Sequence, residues 1–179
     1  MGGKARVMIA VHHRGKLSLG DNRKELGRSA YHWGILVQRK KPRGLDSNAY
    51  DATDGTLLDP LTGVDHNSNH DWRFRSKLGT EPMQSGQILV RITIGKVPPH
   101  ITNARIEALL KAVPLPDKSA TPRQSCVTWT MAAIEVMQKE GLAEAFDVNQ
   151  FMDKALEVAD EWIKNPVPGR IYNYTNRPQ

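Results

Sequence analysis

The chain carries a single cysteine, Cys126, within "PRQSCVTW" (residues 122–129). A proline-containing turn precedes it and a periodic apolar run follows, so the pattern predicts that the thiol opens a helix. A thiol in that position meets the positive end of the helix macrodipole and backbone N–H groups that lack intrahelical partners. Both favour thiolate, the nucleophilic form of cysteine. The same N–H groups can hold an oxyanion while an acyl carbonyl is attacked. What such a thiol still needs is a base within hydrogen-bond reach and a group to orient that base.

Six histidines could supply the base: His12, His13, His32, His66, His70 and His100. His32, in "YHWGILVQ" (31–38), is the best placed. Strand alternation sets His32, Gly34 and Leu36 on one face, and Tyr31, Trp33, Ile35 and Val37 on the other. Apolar residues on both faces point to a central strand, where an imidazole needs a specific partner. Gly34 leaves room beside it for a helix terminus or a substrate. Asp51 is the first choice to accept the second ring N–H and fix the tautomer. Asp54, Asn48 and Tyr50 compete for that role, because the intervening loop hides the register.

Each of these residues also has a plain structural reading. A lone intracellular cysteine often packs as a small hydrophobe. Trp33, Trp129 and Trp162 recur at core spacing, yet Trp33 and Trp129, with Ser125, flank the imidazole and the thiol and are the candidates for substrate contact. His12 and His13 straddle both faces of their strand; one could line a cleft, with packing the simpler role. In "DHNSNHD" (65–71), His66 and His70 lie four apart, but Asn and Ser make the segment a loop without the three or four ligands that zinc requires, so no metal site is expected. "WRFRSKL" alternates Arg73, Arg75 and Lys77 against Trp72, Phe74 and Ser76, as a half-exposed strand does; its basic stripe could grip a carboxylate or phosphate.

The elements that must position these groups fall into two blocks. Strands are predicted at 5–13, 31–38, 49–53, 72–78 and 87–97, with "KLSLGDNRKELGRSA" a polar connection and "LLDPLTGVDHNSNHD" a long loop. Helices are predicted at 103–113, with Asn103 as N-cap, at 125–141, ending on Gly141, and at 147–165, closing before Pro166. The tail after Pro166 adds an edge strand or docks loosely. Strands followed by segregated helices define an α+β fold in one domain spanning 1–179, an antiparallel sheet of about five strands against about three helices.

The segment "YHWGILV" resembles the histidine strand of circularly permuted papain-like proteins, the NlpC-type and lecithin:retinol acyltransferase-like group. There a His-Trp pair opens a strand of the form His-Trp-small-apolar-x-Val. The group's second element, a cysteine at a helix start with an aromatic residue three positions on, is matched by Cys126 and Trp129. The resemblance implies a papain-like fold with the histidine strand ahead of the cysteine helix, Cys126 as nucleophile, His32 as base and a polar residue on the following strand as orienter. The chain offers Asp51 where the acyltransferase-like branch places a second histidine. It reads Ser-Cys-Val-Thr-Trp where that branch favours Asn-Cys-Glu-His-Phe.

Charge is uneven along the chain. Residues 1–48 hold eleven Lys/Arg against three Asp/Glu, whereas the remainder holds fourteen against sixteen. A positive front half could draw in an anionic or RNA-linked partner, although a solvated basic surface is the simpler account. No apolar run approaches the length of a membrane span, "MGGKARVMIA" lacks a secretory h-region, and one cysteine cannot close an internal disulfide. Stable membrane insertion is therefore not expected, and a cytoplasmic location is. The combined expectation is a cofactor-independent cysteine hydrolase or acyl transferase acting on an amide, ester or thioester of a small molecule, peptide or acyl substrate. The alternatives are acyl transfer from a polyanionic donor such as aminoacyl-tRNA, or a non-catalytic binding module on the same scaffold. Nothing in the sequence fixes the oligomeric state.

Overall fold

The β-branched run Ala5–His13 forms strand β1 at the centre of a mixed sheet. It pairs antiparallel with β2 (Tyr31–Arg39) on one side and β5 (Ile88–Lys96) on the other. β3 (Ser47–Thr53) and β4 (Arg73–Thr80) extend the β2 edge. β6 (Ile171–Asn173) lies parallel to β5, which gives the order β4-β3-β2-β1-β5-β6. The computed structural model describes residues 4–178. Among these the sheet has six strands, one more than predicted, because the tail supplies β6; its parallel pairing departs from the all-antiparallel expectation. The architecture is α+β.

The connection between β1 and β2 is helical rather than an irregular polar link. It holds a 3₁₀ turn (Gly15–Ser18), α1 (Gly20–Leu26) and a second 3₁₀ turn (Gly27–Ala30). No residue of α1 is buried, so the segment lacks the apolar period that would have revealed it. It is held from outside. Arg23 donates two hydrogen bonds of 2.6 Å to the Asp160 carboxylate, and Arg28 donates to Asp153 at 2.6 Å.

Three longer helices follow the sheet: α2 (Asn103–Lys111), α3 (Cys126–Lys139) and α4 (Val148–Trp162). The α2 cap is Thr102 rather than Asn103; its side chain accepts from Arg105 N–H at 3.1 Å. Asp147 caps α4. Glu140 is the C-cap of α3, with Gly141 next at φ 72°, a left-handed conformation that glycine adopts without a Cβ clash. Ile106, Leu110, Ala133, Ile134, Met137, Phe151 and Ala155 pack with Val7, Ile9, Tyr31, Trp33 and Ile35 in one core on one sheet face. The opposite face has a small cluster of Met8, Ala10 and Leu36. Gly95 on β5 carries the loop after α3, since a Cβ there would overlap the Leu142 carbonyl.

Candidate active site

The cysteine is where the pattern places it, at the first residue of α3. The helix begins here because Ser125, in extended conformation, caps it reciprocally. Ser125 Oγ accepts from Val127 N–H at 3.2 Å, and Ser125 N–H donates to Thr128 Oγ1 at 2.8 Å. Behind the thiol, Trp129, Ala133, Ile134 and Met137 anchor the helix in the core. The thiol is thus held on a fixed rod. Its own N–H, in the first turn, has no acceptor within the helix.

His32 is the second residue of β2 and stands directly opposite His12 of β1, the two rings 5.8 Å apart. Between β2 and β3 the ladder runs from Val37–Asn48 only as far as Ile35–Tyr50. Beyond that point a side-chain bond takes over: His32 Nε2 lies 2.7 Å from Asp51 Oδ2. The carboxylate can only accept, so Nε2 carries the hydrogen and donates it, which leaves Nδ1 as the free position. Cys126 and this ring line the same cleft, and the thiol is among the groups that act on the charge of the imidazole.

Gly34 makes the approach of β3 possible. A Cβ there would come within 2.9 Å of the Tyr50 carbonyl and 3.1 Å of Asp51 Cβ. The room predicted beside His32 is therefore filled by the strand that brings the carboxylate, not by a helix terminus or a substrate. Of the competing orienters, Asn48 accepts from Gly79 N–H at 3.1 Å and Tyr50 is buried in the core. Asp54 lies in the wall of the cleft.

A fourth residue completes the chain. Arg75 faces Asp51 across the β3–β4 ladder and grips its carboxylate with two hydrogen bonds, Nε to Oδ1 at 2.9 Å and a terminal nitrogen to Oδ2 at 2.6 Å. A bidentate guanidinium fixes the plane of the carboxylate, and thereby the ring bonded to it. In the sequence Arg75 belongs to a half-exposed basic stripe. Its signal was the opposite charge at the facing register position, which the loop 54–72 conceals.

The electrostatics follow from this packing. Burial opposes charge on His32, but the Asp51 hydrogen bond, then the hydrogen bond and charge of Cys126, outweigh it and lift the imidazole to about 9. Burial would raise Asp51, yet His32 and Arg75 together hold it well below the usual carboxylate range. His12 is pushed down to about 4 by burial and by the neighbouring His32, with Arg75 and Lys77 adding to the effect and Asp51 opposing it. Two adjacent imidazoles are thus driven apart, one toward the charged form and one toward the neutral.

The thiol and the imidazole open into a cleft of about 520 Å³. One wall comes from the β1–β2 connection (Arg14, Leu17, Glu25, Leu26, Ser29), the other from Thr53, Asp54, Gly55, Trp72 and Arg123, with Ser125 at the α3 end. Cys126 is 7% exposed, and this cleft is where it reaches the surface. Ser125 borders the cleft, with its hydroxyl engaged in the cap. Trp33 and Trp129 correct the expectation: they are 0% and 1% exposed, pack within the core and reach no cleft. His66 and His70 do not converge, since His66 Nε2 lies 3.4 Å from an Asp59 carboxylate oxygen and His70 Nδ1 3.1 Å from the Asp54 carbonyl. No group of three or more His, Cys, Asp or Glu side chains among the described residues could hold a metal. None of the helices among them is long and apolar enough to cross a membrane.

No curated protein and no solved structure matches the chain. A family model does match, over residues 4–165, a span that takes in the thiol, both histidines, the carboxylate and the guanidinium. The chain belongs to this family, described as a family of unknown function (DUF6914).

Proposed function

We propose that the protein is a cysteine-dependent hydrolase or acyl transferase, with Cys126 as nucleophile, His32 as general base and acid, Asp51 as its orienter and Arg75 as the positioning residue behind Asp51. The observation that carries this reading is the relay from Arg75 through Asp51 to His32, ending at a thiol on a helix start beside an open cleft. The relay's order agrees with the resemblance to permuted papain-like proteins, in which a strand histidine precedes the cysteine helix.

In this reading Nδ1 of His32 already holds the thiol proton, in the charged form that Asp51 favours, as the sulfur attacks the acyl carbon and a carbon–sulfur bond forms. The carbonyl π electrons move to oxygen, and the N–H of Cys126 donates to that oxyanion. Collapse breaks the bond to the leaving amine, alcohol or thiol, which takes its proton from Nδ1. Water, or an amine in a transferase, then attacks the thioester with His32 again accepting a proton. The thiol is released and the cycle closes. Neutral His12 beside the ring adds no second positive charge to compete for Asp51.

The cleft walls favour a substrate of mixed character. Leu17, Leu26 and Trp72 offer apolar contact, whereas Arg14 and Arg123 stand against Glu25 and Asp54. This near balance of charge at the thiol favours a small or peptide-like acyl donor over a polyanionic one. The test is incubation of the purified protein with a panel of activated acyl esters and thioesters, followed by intact mass measurement. A mass increase of one acyl group that disappears in Cys126→Ala supports the proposal. Wild-type protein that stays unmodified, or an adduct that persists in Cys126→Ala, rejects it in favour of a binding module.

A further inference from the structure

Three of the basic residues in the first 48 collect far from the thiol. At the Ala5 end of the sheet, Lys4, Arg6, Lys40, Lys96 and Arg177 line a pocket of about 390 Å³ that no Asp or Glu lines. Among the described residues, Lys4, Arg6, Lys40 and Lys96 form no ion pair; Arg177 alone does, with Glu144 at 2.9 Å. Converged cations repel one another, and the cost shows at Lys96. Its ammonium is shifted down by desolvation, then by Lys4, Arg177 and Lys40. A fold gains nothing from such a cluster unless an anion offsets it.

A second, independent observation comes from the pocket wall. Thr93 lines it at 4% exposure, and its hydroxyl is buried without any hydrogen-bond partner. A buried hydroxyl left unpaired is unfavourable, and a ligand oxygen would supply the missing partner. Asn173 and Thr175 stand on the same wall with further polar groups.

We infer that this pocket is a binding site for an oligophosphate group, held by the Lys and Arg side chains with Thr93 as a hydroxyl donor. Several cations around one small volume suit a ligand carrying three or four negative charges on tetrahedral centres, more than a single carboxylate supplies. The site is separate from the cysteine. His32 and Lys40 lie eight residues apart along β2 and just beyond it, on the order of 25 Å at the rise of an extended strand. The bound group therefore anchors or regulates rather than reacts.

The test is calorimetric titration of the full chain with sodium tripolyphosphate at fixed ionic strength. Stoichiometric binding is expected, weakened about tenfold or more in Arg6→Ala/Lys96→Ala, less in Thr93→Val, and unchanged in Cys126→Ala. Exposed Lys40→Ala gives a variant in which folding is not at stake, and it too should bind more weakly. Absence of binding, or equal binding by wild type and the charge variants, overturns the proposal. So does binding of a short single-stranded RNA that these variants abolish while tripolyphosphate itself fails to bind, which would assign the pocket to a nucleic-acid backbone.

Discussion

Asp51 serves two partners with one carboxylate: Oδ2 lies 2.7 Å from His32 Nε2 and 2.6 Å from an Arg75 nitrogen, whose neighbouring Nε takes Oδ1. This sharing sets the ring orientation and makes the carboxylate the point at which stability and reactivity meet. Asp51→Asn leaves Arg75 without a counter-charge and His32 with a weaker acceptor. The expected loss is about 2–4 kcal/mol by urea denaturation near pH 6, below the fully buried figure because Arg75 is one-third exposed.

That loss depends on pH in a defined direction. His32 is raised in the folded state, so its contribution is fully present below the ordinary histidine value and declines as pH climbs through about 9. Asp51 is depressed, so its contribution holds above the ordinary carboxylate value and vanishes in strong acid. The stability gap between wild type and Asp51→Asn should therefore be widest near pH 5–6 and shrink by pH 10. A gap constant across that range would remove the charged imidazole from the account.

His12 and His32 should be separable by NMR titration of their ring protons, the first near 4 and the second near 9. Cys126→Ala removes one of the interactions that raise His32, so its midpoint should fall toward the ordinary value. His12 is lowered, which means that the folded state resists a proton the unfolded chain accepts. It costs stability as pH drops from 6.5 toward 4, and His12→Phe should soften that acid limb.

Alkylation of Cys126 by iodoacetamide near pH 6.5 reports the base directly. The rate should drop about tenfold or more in His32→Ala, and less in Arg75→Ala, where Asp51 remains. Equal rates in wild type and His32→Ala would show that the imidazole does not activate the sulfur.

Gly34→Ala tests the approach of the two strands. The added methyl meets the Tyr50 carbonyl at 2.9 Å and must push β3 outward, at about 1–3 kcal/mol. Acyl transfer should fall with little change in KM, because the orienter rather than the binding surface is displaced. Trp129 gives the opposite control. Trp129→Ala should lose about 3–5 kcal/mol as a core truncation, whereas Trp129→Phe, which removes a buried indole N–H without a partner, should leave KM unchanged.

Much of this arrangement is legible in the chain itself. Alternation puts β1, β2 and β5 within a residue or two of their ends, and the 3.6-residue period, with Gly141 after α3 and Pro166 after α4, marks those two helices. Cys126 and His32 are legible from helix-start chemistry, strand parity and the family resemblance, whereas Asp51 is one of four candidates until the β2–β3 pairing selects it. What escaped was non-local. Arg75 needed the β3–β4 register, and the burial of Trp33 and Trp129 needed the packing of α3 on the sheet. α1 escaped for another reason: it buries no side chain, so no periodic signal exists to be found.

That short exposed helix has a consequence for how the protein could diversify. The segment 14–30 supplies Arg14, Leu17, Glu25, Leu26 and Ser29 to the cleft, yet its outer turns are fastened mainly by guanidinium clasps to Asp160 and Asp153. It behaves as an interchangeable jaw bolted onto a finished frame. Relatives could remodel this stretch residue by residue, altering what the groove admits, while the thiol and its attendants stayed untouched.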